Sequence, residues 1–179
     1  MKKALTEFLQ RADTEVSAIL DHISAGTLFS SDTFDSPVVT TEAPERGSPL
    51  WGRKGVYIFV LTADIDLTYD DVRKWCTACQ GAPFEWWKPQ ELHMGDCFYV
   101  GSATSESLYS RLRSHINGDG EHTSLNLSVP ARRKLKPILK VYAYPIKKCF
   151  NDEMIRIVLT VIEKRLHQQL HPITGKSKV

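Results

Sequence analysis

The sequence predicts an α+β fold with three strands, on three observations. Strand-length apolar runs occur at Val56 to Leu61, Cys97 to Gly101 and Ile138 to Tyr144. The stretches before, between and after them carry amphipathic patterns of helical period. The 179 residues are 42% hydrophobic and 25% charged, enough to bury one core and ordinary for a globular domain. The net charge of +2 is too small to name a partner, so electrostatic arguments must rest on local clusters.

Residues from about Lys2 to Ser24 read as a helix. Leu5, Leu9, Val16, Ile19, Leu20 and Ile23 share one face, and Ala25-Gly26 stops it. Such a helix most simply packs on its own core; the alternative is an arm against DNA or a partner chain. Thr27 to Ser48 is rich in Ser, Thr, Asp and Pro and has little period, so it reads as a long surface loop. Residues 1–50 are thus an N-terminal helix and loop, and residues 51–179 the main domain.

In the first strand, Tyr57 and Phe59 point to one sheet face and Val56, Ile58 and Val60 to the other. Both faces are apolar, as in a central strand covered on both sides. Leu67 to Gln80 starts as a helix, with Asp70 and Asp71 in its first turn, and Gly81-Ala82-Pro83 stops it. With the packed segment that holds Trp86 and Trp87, it fills about residues 62–96. The two tryptophans suit core burial better than base stacking. Gly118 to Thr123 is a glycine-containing loop. Asp152 opens a last helix with Ile155, Val158, Leu159, Ile162, Leu166 and Leu170 apolar, ended by His171-Pro172.

No apolar run approaches the roughly 20 residues of a membrane span. The N-terminus has no apolar signal core. A cytoplasmic location is expected, with Cys76, Cys79, Cys97 and Cys149 reduced.

The chemistry concentrates between Cys97 and His115. A strand ends in glycine, Thr104 or Ser105 can cap the next helix, and Leu108, Leu112 and Ile116 make its apolar stripe. Arg111 and His115 lie one turn apart beside that stripe, and Asn117-Gly118 closes the helix. Tyrosine, arginine and histidine are brought near one another. Arginine grips phosphate oxygens through a permanent planar charge, and the other two can pass protons.

Gly55-Val56-Tyr57, Tyr99-Val100-Gly101-Ser102-Ala103, Arg111-x-x-x-His115 and a later helical Glu163, in that order, resemble the GIY-YIG nuclease superfamily. The resemblance covers about Gly55 to Gly175. It implies a small three-stranded antiparallel sheet flanked by helices, here with an extra N-terminal helix and with residues of about 62–96 as an insertion between the two named motifs. It also implies hydrolysis of phosphodiester bonds in DNA. By that resemblance Tyr57, Tyr99, Arg111, His115 and Glu163 form the catalytic set. Glu163 would hold a single Mg²⁺ or Mn²⁺, as a hard oxygen ligand can, and Arg111 would stabilise transition-state charge. Tyr57 or Tyr99 would take a proton from the attacking water, with His115 orienting or activating the phenol. Valine replaces isoleucine in both named motifs, and Gly175 stands where many members carry asparagine.

Two other readings are weighed. Cys76, Cys79, His93 and Cys97 have residue types that suit zinc, although small core cysteines are the commoner explanation. A non-catalytic nucleic-acid-binding module on the same fold is the second, with Arg132, Arg133, Lys134 and Lys136 as phosphate contacts.

Overall fold

Strand β2, Gly55–Leu61, is buried along its whole length, because hydrogen-bonded strands flank it and helices cover both its faces. The computed structural model describes residues 2–66, 68, 91–118, 125–128, 130 and 133–174. The expected helix over Leu67 to Gln80 lies outside these residues, as do Cys76, Cys79, Trp86, Trp87, Arg132 and Gly175. The described elements begin with helix α1 (Lys2–Ala25) and strand β1 (Val38–Thr40) before β2. After β2 come the short strands β3 (Ile65–Asp66) and β4 (Glu91–Leu92), then β5 (Cys97–Ala103) and helix α2 (Leu108–Asn117). A 3-10 helix at Arg133–Ile138 leads into β6 (Leu139–Pro145), and α3 (Asp152–Leu170) follows.

The fold is α+β, as read, but its main sheet has four antiparallel strands in the order β1-β6-β2-β5, not three. The added strand comes from the stretch read as a surface loop. Val38 pairs with Ala143 and Thr40 with Val141. Three residues are too few to display an alternating pattern; pairing with β6 creates this strand. β3 and β4 form a separate two-stranded ribbon.

The alternation in β2 divides the core as expected. Tyr57, Phe59 and Leu61 pack with Leu108, Leu112 and Ile116 of α2. Val56, Ile58 and Val60 pack with Ala12, Val16 and Ile19 of α1 and Ile155, Val158 and Leu159 of α3. The N-terminal helix therefore belongs to the core of its own chain. Truncating Ile19 or Leu159, both fully buried, to alanine should cost about 2–5 kcal/mol.

One irregularity in β5 matters for the site. Phe59 pairs with Tyr99, but Val60 pairs with Cys97, so Phe98 is an extra, bulged residue. The bulge shifts the alternation: Phe98 and Tyr99 both pack on the α2 side, while Val100 packs on the α3 side.

Helix α2 is capped by Ser107, whose hydroxyl accepts from the Ser110 N–H at 3.1 Å, rather than by Thr104 or Ser105. It ends at Gly118, at φ 75°. A Cβ there would strike Asn126 and Ser128, so both conformation and space require glycine. Asn151 caps α3, and His171, at φ 44°, ends it before Pro172. Beyond the proline, Ile173 N–H donates to Cys97 O at 3.1 Å and Thr174 N–H to Phe98 O at 3.0 Å. This segment lies along the free edge of β5. No described helix is long and apolar enough to cross a membrane.

Candidate active site

Tyr57 projects from β2 opposite Gly101 of β5. A Cβ at Gly101 would collide with the Tyr57 hydroxyl, so the glycine makes room for the phenol. Tyr57 is fully buried, and its Oη meets His115 Nε2 at 2.8 Å. The Nε–H of Arg111 donates to the same oxygen at 3.3 Å.

The partners of His115 fix its tautomer. The Leu125 N–H donates to Nδ1 at 2.8 Å, so Nδ1 is an acceptor and Nε2 carries the hydrogen that it donates to Tyr57. Burial, and next the Arg111 charge, hold His115 well below its ordinary pKa. It is a neutral, fully buried imidazole that positions Tyr57. The Leu127 N–H closes the same corner by donating to His115 O at 2.7 Å.

With two donors aimed at its oxygen, Tyr57 turns its own proton outward. The Tyr57 and Tyr99 rings stack with centroids 6.1 Å apart and 21° between their planes, and the Arg111 charge acts on both phenols. A directed relay results: Leu125 N–H to His115 and His115 to Tyr57, with Tyr99 stacked beside the Tyr57 ring. Burial pushes Tyr57 well above its ordinary pKa, with Tyr99 adding and Arg111 opposing. Burial also raises Tyr99, while the Arg111 charge pulls it down and the Glu163 charge pushes it up. Tyr99 is the phenol only half-buried, so it alone of the pair reaches the surface.

Arg111 sits at the centre of the cluster. Burial lowers its pKa, but the adjoining phenols and Glu106 outweigh that and raise it. Its Nη1 pairs with Glu106 Oε1 at 3.3 Å.

Glu163 comes from α3, on the opposite face of the sheet. It is 5% exposed, and its carboxylate accepts a hydrogen bond from the Ser102 hydroxyl. Ser102 follows Gly101 and points to the other face of β5, an edge strand. Tyr57, Arg111 and His115 thus form one bonded cluster, with the Tyr99 ring packed against Tyr57 and His115. Glu163 approaches the same edge from below, near enough for its charge to act on both phenols.

Four contributors carry no role in the sequence reading: Ser102 on Glu163, Glu106 on Arg111, Leu125 on His115, and Thr174. Thr174 is bridged to Tyr99, and its buried hydroxyl has no hydrogen-bond partner among the described residues. Ser102 adjoins the second motif, a signal that was available; the others depend on where loops return.

Among the described residues no three His, Cys, Asp or Glu side chains converge as a metal cluster. A single buried carboxylate suits a hard cation that keeps most of its waters. Cys97 packs between the sheet and α3, and burial pushes its thiol up to about 12, opposite to what a zinc thiolate needs. His93 is exposed. Of the basic run, Arg133 and Lys134 are exposed and Lys136 is half-buried, and Arg133 donates to Ser128 O at 3.4 Å.

Comparison with protein-family models, with characterised proteins and with solved structures returns no match.

Proposed function

We propose that this protein is a metal-dependent endonuclease of the GIY-YIG type that hydrolyses phosphodiester bonds in DNA. The observation that carries the reading is the bonded group of Arg111, Tyr57 and His115, with Tyr99 stacked against it, and a buried carboxylate at the same sheet edge. In this reading the three strands β6, β2 and β5 are the family's sheet and β1 is an addition.

Each group has a physical task. Arg111 binds the scissile phosphate through its guanidinium fork and stabilises the charge that builds in the transition state. Tyr99, as phenolate, takes the proton of the attacking water. The Arg111 charge stabilises that phenolate. Tyr57 is fully enclosed, which favours Tyr99 of the two candidate bases. His115 is a positioning residue: it holds Tyr57, against which Tyr99 stacks. Glu163, with Ser102 fixing one carboxylate oxygen, would hold Mg²⁺ or Mn²⁺. Such an ion neutralises charge on a scissile phosphate and its leaving oxygen.

The test is cleavage of supercoiled plasmid DNA with Mg²⁺ against EDTA, for the wild type and Glu163→Gln. Nicking that needs Mg²⁺ and is lost in the variant is expected. Cleavage that persists in Glu163→Gln overturns the mechanism. DNA binding with no cleavage at any metal concentration favours a non-catalytic nucleic-acid-binding module.

A further inference from the structure

Trp51 is 50% exposed, yet the loop that carries it is well anchored. Its N–H donates to Ser48 O at 2.9 Å. The carbonyls beside it accept from the first N–H groups of α2: Leu50 O from Tyr109 at 3.3 Å, and Arg53 O from Leu108 at 2.7 Å. The loop satisfies donors that a helix start leaves free, and this fixes the position of the indole. The ring rests on Tyr109, with centroids 4.3 Å apart and planes tilted by 57°. The Arg46 guanidinium lies 5.8 Å over the indole and that of Arg113 5.7 Å over the phenol.

An aromatic pair bracketed by two guanidinium groups is poorly suited to a purely apolar ligand. It suits a flat π-system attached to negative charge, because stacking and phosphate pairing are satisfied together. Tyr109 and Arg111 are two positions apart on α2, on opposite flanks of its buried stripe. The platform therefore lies about one helix diameter, roughly 10–12 Å, from the Arg111 guanidinium. That span corresponds to about three stacked nucleotides at about 3.4 Å each.

We propose that Trp51 and Tyr109 form a stacking platform for an unpaired nucleobase, about three nucleotides from the phosphate held at Arg111. The proposal rests on nucleic acid being the substrate and adds that the preferred substrate has a single-stranded portion.

The test is fluorescence anisotropy in EDTA, where no cleavage interferes, with the full chain. A labelled blunt duplex is compared with the same duplex carrying a five-nucleotide tail. The wild type should prefer the tailed duplex. Trp51→Ala should lose about ten- to hundredfold on that duplex and little on the blunt one, within the range of a single base–aromatic stack. Trp51→Tyr should keep most of the preference. Glu163→Gln separates this proposal from the nuclease reading. A Trp51-dependent tail preference without cleavage by any form sustains the platform and removes the nuclease. Unchanged tail binding by Trp51→Ala overturns the platform, even if cleavage depends on Glu163. So does an equal loss on both duplexes, or an equal loss for Trp51→Ala and Trp51→Tyr.

Discussion

On the α2 face of the sheet, His115 Nε2 meets the Tyr57 hydroxyl at 2.8 Å; on the α1 and α3 face, His22 Nδ1 meets the Tyr144 hydroxyl at 2.9 Å. In both pairs burial lowers the histidine and raises the tyrosine. Their surroundings differ. Tyr144 is edge-on to His22 at 5.8 Å and to Phe29 at 5.0 Å, and Phe34 packs beyond. The His22 face also holds a half-buried phenol, Tyr142, edge-on to His22 at 5.7 Å with Lys140 over its ring; what sets Tyr57 apart is a guanidinium that donates directly to its hydroxyl oxygen. A buried imidazole–phenol bond is by itself a way to satisfy polar atoms in a core. It supports chemistry only where the phenol's proton leads toward a cation and an opening.

The sharpest contrast is between the two faces' hydroxyls. Tyr99→Phe should lower the cleavage rate by about 10²–10⁴-fold, the usual worth of a positioned proton acceptor, whereas Tyr144→Phe should leave it unchanged. Equal losses would erase the distinction. Arg111→Ala should cost about 10²–10³-fold, as for other transition-state donors, with an unchanged far-ultraviolet spectrum to show that the fold survives.

The pH profile probes the same cluster. Only the phenolate accepts a proton, and burial lifts Tyr99 above its ordinary pKa. Rates should therefore climb about tenfold per pH unit through neutrality toward an alkaline plateau. A maximum near pH 6 to 7 would move the base to another group.

Stability gives a smaller effect, shared by the two faces. Both histidines have depressed folded pKa values, so the unfolded chain binds more protons once pH falls below about 6.5. Folding stability should be full above that pH and decline below it. Each histidine contributes at most about 1.4 kcal/mol per pH unit. Replacing His22 or His115 by phenylalanine should remove one proton's share of the slope in urea melts at stepped pH, and an unchanged slope would mean that the ring is already solvated. Tyr144→Phe should cost stability of similar size, about 1–3 kcal/mol for the stranded His22 nitrogen, read as a lower urea midpoint.

Much of this arrangement was legible in the chain. Alternation along Gly55–Leu61 assigned Tyr57 to one face and Val56 to the other, because period-two patterning follows directly from strand geometry. The spacing of Leu108, Leu112 and Ile116 oriented α2 and with it Arg111 and His115. Short motifs marked the phenols, since the room at Gly101 is a local requirement of the strand pair. What could not be read depends on distant pairing. Val38–Thr40 becomes a strand only against β6. The Phe98 bulge is set by register with β2. Ser102 finds Glu163 across 61 residues of sequence, and Thr174 reaches Tyr99 only because α3 ends where it does.

That last contact has a further consequence. Ile173 and Thr174 occupy the backbone groups of Cys97 and Phe98 that an edge strand would otherwise offer to another chain. The rim beside the phenols is thereby closed to strand addition at these positions. At these positions a stray β-segment has no free carbonyl of the strand to pair with.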